Sequence, residues 1–138
     1  MIALTSKTLY GIAAMTELAR RHGQGLVHAK SIGSTRRIPQ QFLANIFNQL
    51  IKAGLVRSVR GARGGLELAR DPEAITVRDV VTVLDGSAGL CPGASSSAAL
   101  DEILAHAERS LARAFRVSLR ALAARETELN SRSIIYEI

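Results

Sequence analysis

Three arginines spaced three residues apart are the side chains with the clearest chemical potential in this sequence. Arg57, Arg60 and Arg63 lie within the stretch 55–68, where only Glu67 carries an opposing charge. Guanidinium groups on a narrow segment suit the phosphate backbone or the minor groove of a nucleic acid. The alternative interpretation is a solvated surface segment whose arginines bind nothing.

Amide side chains precede these arginines in the chain. Gln40, Gln41 and Asn45 fall on the polar face of a segment with apolar residues at helical spacing, and Lys52 follows on the same face. Asn and Gln can pair bidentately with adenine in a major groove, whereas Lys contacts phosphates. We therefore predict that the amides read bases and that Lys52 helps the arginines to hold DNA. Ordinary polar surface residues are the alternative.

The elements that must position these side chains follow from local patterns. Residues 55–59 and 66–68 are short apolar runs, and the tip between them contains three glycines, which tolerate the positive φ of a tight turn. This pattern predicts a β-hairpin with a basic tip. Pro39 and Gly54 bracket a helix that carries the amides on one face and apolar residues on the other.

Two further helices are predicted upstream of this one. Thr5 or Ser6 caps the first, and the second is short and spans residues 29–35. Helix, turn, helix and basic hairpin is the order of a winged helix-turn-helix. In that architecture the second helix of the pair enters the major groove and the hairpin, or wing, reaches an adjacent groove. Thr76 is predicted to cap one more short helix after the hairpin.

The second half of the chain contains the longest periodic segment. Residues 86–98 are mainly Gly, Ser, Ala and Pro, which predicts a flexible loop. Apolar residues then recur at alternating steps of four and three from residue 99 to about 122. A helix of ~24 residues would be ~36 Å long, so we predict that it pairs with a second subunit. A long helix folded back on its own domain is the alternative. The predicted dimer contacts are Leu100, Leu104, Leu111, Phe115 and Leu119.

The predicted fold class is mainly α with a small β-hairpin. We divide the chain into a winged helix-turn-helix domain at 1–85, a sensory-type loop at 86–98, a dimerisation helix at 99–124 and a C-terminal tail at 125–138.

Positive charge is concentrated in the first half of the chain. The 138 residues carry a formal net charge of +6, but residues 1–70 hold 11 Lys or Arg against 2 acidic residues, and residues 71–138 hold 7 against 10. A polyanionic partner is the natural inference.

No apolar run approaches the ~20 residues of a membrane span, so we expect a cytoplasmic protein without a membrane partner. No nucleophile with a base, phosphate-binding glycine motif or useful carboxylate pair appears, which argues against an enzyme.

Cys91 is the single cysteine, so an intrachain disulfide is excluded and the thiol cannot form a zinc site by itself. One interpretation is a thiol switch in the loop, with His106 as a candidate neighbour in space. The other is a small apolar residue packed near the dimer helices. His22 and His28 are interpreted as polar surface residues.

Several short motifs together resemble a known bacterial family. They are Leu4-Thr5-Ser6 with Tyr10-Gly11, Asn48-Gln49-Leu50 before Ala53-Gly54-Leu55-Val56, Ser58-Val59-Arg60-Gly61 with Gly64-Gly65, and Ile75-Thr76-Val77 with Asp79-Val80-Val81. The chain is similar to the family that contains the iron-sulfur cluster regulator and the nitric-oxide-sensitive repressor. The resemblance implies a homodimeric winged-helix transcription factor, usually a repressor, that binds a palindromic operator in double-stranded DNA. It also implies that a signal is received near the loop before the dimerisation helix.

The chain departs from the cluster-binding members of that family. Those members carry three cysteines in the loop, whereas this chain has Cys91 alone, with Ser97 and Ile103 where the other two belong. His106 falls where the iron-sulfur cluster regulator has a histidine ligand. Iron-sulfur clusters are typically held by four ligands, mostly thiolates. We therefore expect no metal site and no resident cofactor.

The leading hypothesis is a DNA-binding transcription regulator that works without a cluster. A sensor of redox state or nitric oxide in the same family, based on a cluster or a thiol and using Cys91 and His106, is one alternative. A winged-helix module that binds protein or RNA is the alternative from another class.

Overall fold

The structure is a computed structural model that describes residues 3–86 and 95–137, so Cys91 and most of the predicted loop lie outside the described residues. The first part of the chain folds into three helices, α1 (Ser6–Arg20), α2 (Ala29–Arg36) and α3 (Gln40–Lys52).

The ends of these helices follow the local sequence signals. The Thr5 hydroxyl accepts a hydrogen bond from the Thr8 amide at 3.2 Å, which confirms the predicted cap of α1. Arg37, in the left-handed conformation with φ of 55°, ends α2 and forms the turn to α3. Helix α3 begins directly after Pro39 and ends before Gly54, whose φ of 77° suits a glycine after a helix.

The hairpin is present as predicted. β1 (Val56–Val59) and β2 (Gly65–Leu68) pair in antiparallel fashion. The hairpin is also tied to the helices, because the backbones of Val27 and Leu66 exchange hydrogen bonds of 2.9 and 2.7 Å. The position of the wing is therefore set by the segment that precedes α2.

Helix α4 (Val77–Asp85) follows a short 3-10 helix, Pro72–Ala74. Thr76 caps α4 as predicted. Its hydroxyl accepts from the Asp79 amide at 3.1 Å, and the Asp79 carboxylate accepts from the Thr76 amide at 2.9 Å. The described residues form six α-helices and one two-stranded hairpin, which confirms the predicted class.

The C-terminal part corrects the prediction of a single long helix. Residues 99–122 do not form one helix, because residues 115–118 separate α5 (Ala98–Ala114) from α6 (Leu119–Glu137). The predicted C-terminal tail, residues 125–138, is helical as far as Glu137 and belongs to α6.

The interruption is caused by pairing with a distant segment. The Val77 amide donates to the Val117 carbonyl at 2.9 Å, and the Leu119 amide donates to the Ile75 carbonyl at 2.8 Å. Backbone groups that bond across to another segment cannot continue the hydrogen-bond ladder of a helix. Ser118 then caps α6, because its hydroxyl accepts a backbone hydrogen bond at 3.0 Å.

Leu119 is a second correction. It was predicted to lie at a dimer surface, but its side chain is 0% exposed and packs in the core of its own chain. Helix α6 packs against α1 and the 3-10 helix. The predicted alternative, a helix folded back on its own domain, is therefore correct for α6.

The core lies between α1, α3, α4, the hairpin and the start of α6. Its largest fully buried apolar side chains are Met15, Ile32, Ile46, Leu50, Val56, Ile75, Val80 and Leu119. Within the described residues, no helix combines the length and the apolar character that crossing a bilayer requires.

Candidate nucleic-acid interface

An open groove of about 420 Å³ lies between the start of α2, helix α3 and the hairpin. Its polar lining residues are His28, Lys30, Gln40, Asn48 and Ser58. The groove brings together three elements that follow one another in the chain. An open groove that carries these polar side chains beside a basic hairpin is a surface that a nucleic-acid backbone can enter.

The predicted base-reading residues all lie on α3 and are exposed. Gln40 lines the groove, whereas Gln41 and Asn45 lie on the exposed surface of the helix outside the groove lining. The side-chain oxygen of Asn45 accepts a hydrogen bond from the side-chain nitrogen of Gln49 at 2.9 Å, which orients the Asn45 side chain along the helix. Lys52 is the last residue of α3, roughly 18 Å along the axis from Gln40, so it lies at the other end of the surface.

The three predicted arginines lie on the hairpin. Arg57 is exposed, and its Nε lies 3.6 Å from the Glu67 carboxylate of the opposite strand. An exposed pair at this distance contributes little and leaves Arg57 able to move to a phosphate. Arg60 and Arg63 lie in the tip, and neither forms an ion pair or a side-chain hydrogen bond within the part of the chain that the structure describes.

Gly64 makes the tip as thin as the backbone allows. Its amide donates to the Gly61 carbonyl at 2.9 Å and closes the turn. A Cβ added to Gly64 would lie 2.1 Å from the Val59 carbonyl oxygen, so no other residue fits without moving the backbone. Arg60 and Arg63 are therefore presented on a tight and narrow turn.

Two further polar side chains line the groove at the start of α2. His28, predicted to be a surface residue, is exposed there, and Lys30, which was not among the predicted DNA-binding residues, lies beside it. The amides of the first helical turn have no partner within the helix and attract anions. The sequence could have indicated this site, because His28 and Lys30 flank the predicted first residue of the second helix.

Only one of the two predicted sensor residues lies within the described residues. His106 is exposed on α5, and Cys91 lies outside the described range. Ser97, at the position of one family cysteine, caps α5 by accepting from the Leu100 amide at 3.3 Å. Among residues 3–86 and 95–137, no three His, Cys, Asp or Glu side chains form a group that could hold a metal ion.

Comparison with known proteins agrees with this architecture. Residues 4–125 match the family model Rrf2, described as an iron-dependent transcriptional regulator. This chain belongs to the Rrf2 family. The family resemblance seen in the sequence is thereby confirmed.

Two curated relatives illustrate the similarity of this Rrf2 chain to transcription regulators. The HTH-type transcriptional regulator CymR of Bacillus subtilis is 42% identical over 83 residues, which cover 60% of this chain and 60% of the relative. The HTH-type transcriptional regulator IscR of Escherichia coli K12 is 37% identical over 106 residues, 75% of this chain and 65% of the relative. The matched segment therefore spans less than two thirds of either relative. Both relatives are regulators and not enzymes, which confirms the prediction on enzyme activity.

Solved structures match over more of the chain. The structure of CymR, the global cysteine regulator of B. subtilis, has a TM-score of 0.81 and 32% identity, and covers 90% of this chain and 98% of that one. The structure of T. potens IscR has a TM-score of 0.80 and 31% identity, with 93% and 90% covered. The winged-helix fold is thus shared with these regulators.

The iron in the family description has no matching donor set in one chain. The sequence holds one cysteine, and the described residues hold no cluster of three candidate ligands. A cluster needs about four ligands, mostly thiolates. The residues present do not fit an iron-sulfur centre.

Proposed function

We propose that this Rrf2-family protein is a dimeric, sequence-specific DNA-binding regulator of transcription. In this proposal it acts in the cytoplasm as a repressor on a palindromic operator and carries no resident iron-sulfur cluster. The observation that supports it best is the groove, because Gln40 and Asn48 of α3 line it together with Ser58 of the hairpin that carries the three arginines. A second copy of the chain would supply the other half-site contact.

The geometry suggests a role for each side chain. Helix α3 enters the major groove, where Gln40, Gln41 and Asn45 contact base edges. Arg60 and Arg63 at the hairpin tip enter the adjacent minor groove, and the thin backbone at the tip allows close approach. A second set of side chains contacts the phosphates and so positions the protein without reading the base sequence. This set comprises Lys52, Arg57 and the groove residues His28 and Lys30.

Arg63→Ala tests the wing. We expect it to weaken operator binding and to lower the slope of log affinity against log salt by about 1, because one cation that displaces a counterion from the duplex is lost. The measurement is fluorescence anisotropy at several KCl concentrations, on an operator that the wild-type chain selects from a random duplex library.

The matched control for this variant is Arg125→Ala. Arg125 lies on α6, paired with Glu128 at 2.8 Å, so its removal changes the net charge equally without touching the groove. An Arg63 variant with the slope of wild type would refute the wing assignment. Equal binding of selected and random duplexes by wild type would instead favour a protein- or RNA-binding module.

The proposed dimer surface is the apolar stripe of α5. This helix has no buried residue, and Leu100, Ile103 and Leu111 are 44%, 65% and 38% exposed. An apolar stripe of this spacing is typical of helices that pair with one another. We propose that a second copy of α5 covers it, with Leu104 and Phe115 at the edges of the contact.

Leu111→Glu tests this surface. We expect the dimer dissociation constant to rise at least about tenfold, because a carboxylate would be buried in an apolar contact. Sedimentation equilibrium measures the effect. Ser110→Glu introduces the same charge on the exposed neighbouring position and should leave the dimer intact. A Leu111 variant that stays dimeric would place the interface elsewhere.

A further inference from the structure

Helix α6 is joined to the turn of the helix-turn-helix by a forked ion pair. The two terminal nitrogens of Arg36 donate to the two carboxylate oxygens of Glu126 at 3.1 and 2.9 Å. Arg36 is the last residue of α2, immediately before the left-handed Arg37 that turns the chain into α3. The pair therefore connects α6 to the point where the orientation of α3 is decided.

Arg36 is also held from the opposite side. Its Nε donates to the Glu17 carboxylate of α1 at 3.0 Å, and the Glu17 side chain is 1% exposed. Arg20 and Arg21 bind the same carboxylate. With its three nitrogens occupied by two carboxylates, the guanidinium group has one orientation. A planar fork of this kind fixes geometry in a way that a lysine does not.

The other end of α6 is linked to the proposed dimer helix. Residues 115–118 connect α5 to α6 and pair with the segment that begins α4, where the Arg78 amide donates to the Phe115 carbonyl at 2.9 Å. Leu119 then anchors the first turn of α6 in the core. Glu126 lies seven residues further on, roughly 10 Å along the helix. A continuous series of contacts thus runs from α5 through α6 to the turn before α3.

We propose that the pair of Arg36 and Glu126 is a positioning element that sets the distance and angle of α3 relative to the dimer axis. It thereby sets the spacing between operator half-sites that the dimer accepts. This inference rests on the proposed function, because it presumes a dimer that reads two half-sites. Neither residue needs to touch DNA for this role.

The test compares duplexes whose two half-sites are moved apart or together by one and two base pairs. Wild type should prefer one spacing strongly, since each base pair also rotates a half-site around the duplex axis. Glu126→Gln keeps the shape and removes the charge, and Glu126→Asp keeps the charge and shortens the reach. In both variants we expect the preference between the best and the shifted spacing to fall by about tenfold, as coupling energies between contacting groups allow. Affinity for a single half-site should not change.

Glu128→Gln is the matched control, because Glu128 lies on the same helix and pairs only with Arg125 and Arg132 of α6 among the described residues. The ratio of affinities for two spacings is independent of the folded fraction, so partial unfolding of a variant does not obscure it.

If both Glu126 variants keep the wild-type ratio, the inference is overturned. If wild type binds every duplex equally, the proposed function fails and this inference fails with it. Single half-site binding that falls together with the ratio would also overturn it, since the pair would then act on the base contacts themselves.

Discussion

Leu119→Ala is expected to reduce the free energy of unfolding by ~2–5 kcal/mol, the range for truncating a fully buried leucine. The Leu119 side chain is 0% exposed and packs in the core formed by α1, α3, α4 and the hairpin. Because it lies inside its own chain, its loss should not change the dimer dissociation constant. Urea denaturation at fixed protein concentration and sedimentation equilibrium measure the two quantities separately.

Leu111→Ala is the matched control for this first prediction. Leu111 has the same side chain and lies on the preceding helix, but 38% of it is exposed. Its truncation should weaken dimerisation and leave the core intact. The assignment of Leu119 to the core would be contradicted if the Leu119 variant dissociated the dimer at unchanged stability.

Glu17→Gln is expected to reduce the free energy of unfolding by about 3 kcal/mol at neutral pH. Burial alone would raise the pKa of Glu17, but hydrogen bonds from Arg20, Arg21 and Arg36 outweigh it and lower the pKa from 4.5 to about 2. The carboxylate is thus bound more tightly in the folded chain than in the unfolded one. Removing it also leaves three clustered guanidinium groups without their shared partner, which is strongly destabilising in a buried site.

The pH dependence of this effect has a definite sign. A lowered pKa stabilises the fold fully above the unfolded value of 4.5, and the contribution is lost as the pH falls towards 2. The stability difference between wild type and Glu17→Gln should therefore be constant near neutrality, shrink below about pH 5 and become small near pH 2. Denaturation curves at five or six pH values measure it. Parallel curves for the two proteins at all pH values would show that the ionised form is not favoured.

The control for the second prediction is an exposed acidic residue. Glu128 pairs with Arg132 at 3.0 Å and with Arg125, but about half of its side chain is in solvent. Glu128→Gln should change stability by less than about 1 kcal/mol at any pH, because exposed pairs contribute little. The contrast separates the buried network from surface charge in general.

Local signals were sufficient to predict the first half of the fold. A capping hydroxyl at Thr5 or Thr76, the left-handed residue Gly54 after α3, and alternating apolar runs around glycines act within a few residues of where they stand. The order of helices and hairpin then indicated a winged helix-turn-helix. The amides of α3 and the arginines of the tip could be predicted for the same reason, since each lies on an element that its own neighbours define.

Local signals were not sufficient to predict the second half of the fold. Apolar residues keep a helical spacing through residues 99–122, so periodicity alone cannot reveal that the chain leaves the helix at 115–118. The interruption depends on backbone hydrogen bonds to residues 75–78, about forty positions earlier, and these also bring Leu119 into the core. A pattern of apolar residues indicates that a helix face is buried, but it does not indicate whether that face packs against its own domain or against a second subunit.

The sequence by itself therefore determined the helix-turn-helix, the basic hairpin and the concentration of positive charge in the first half. Only the tertiary structure decided that α6 returns to its own domain and that the apolar stripe of α5 remains exposed. It also decided that Arg36 and Glu126, ninety residues apart, form a bidentate ion pair. The reason is physical. Helix caps and turns form their hydrogen bonds with neighbours in the chain, whereas a buried carboxylate needs a hydrogen-bonding partner, and a buried leucine a packing surface, that a distant segment can provide.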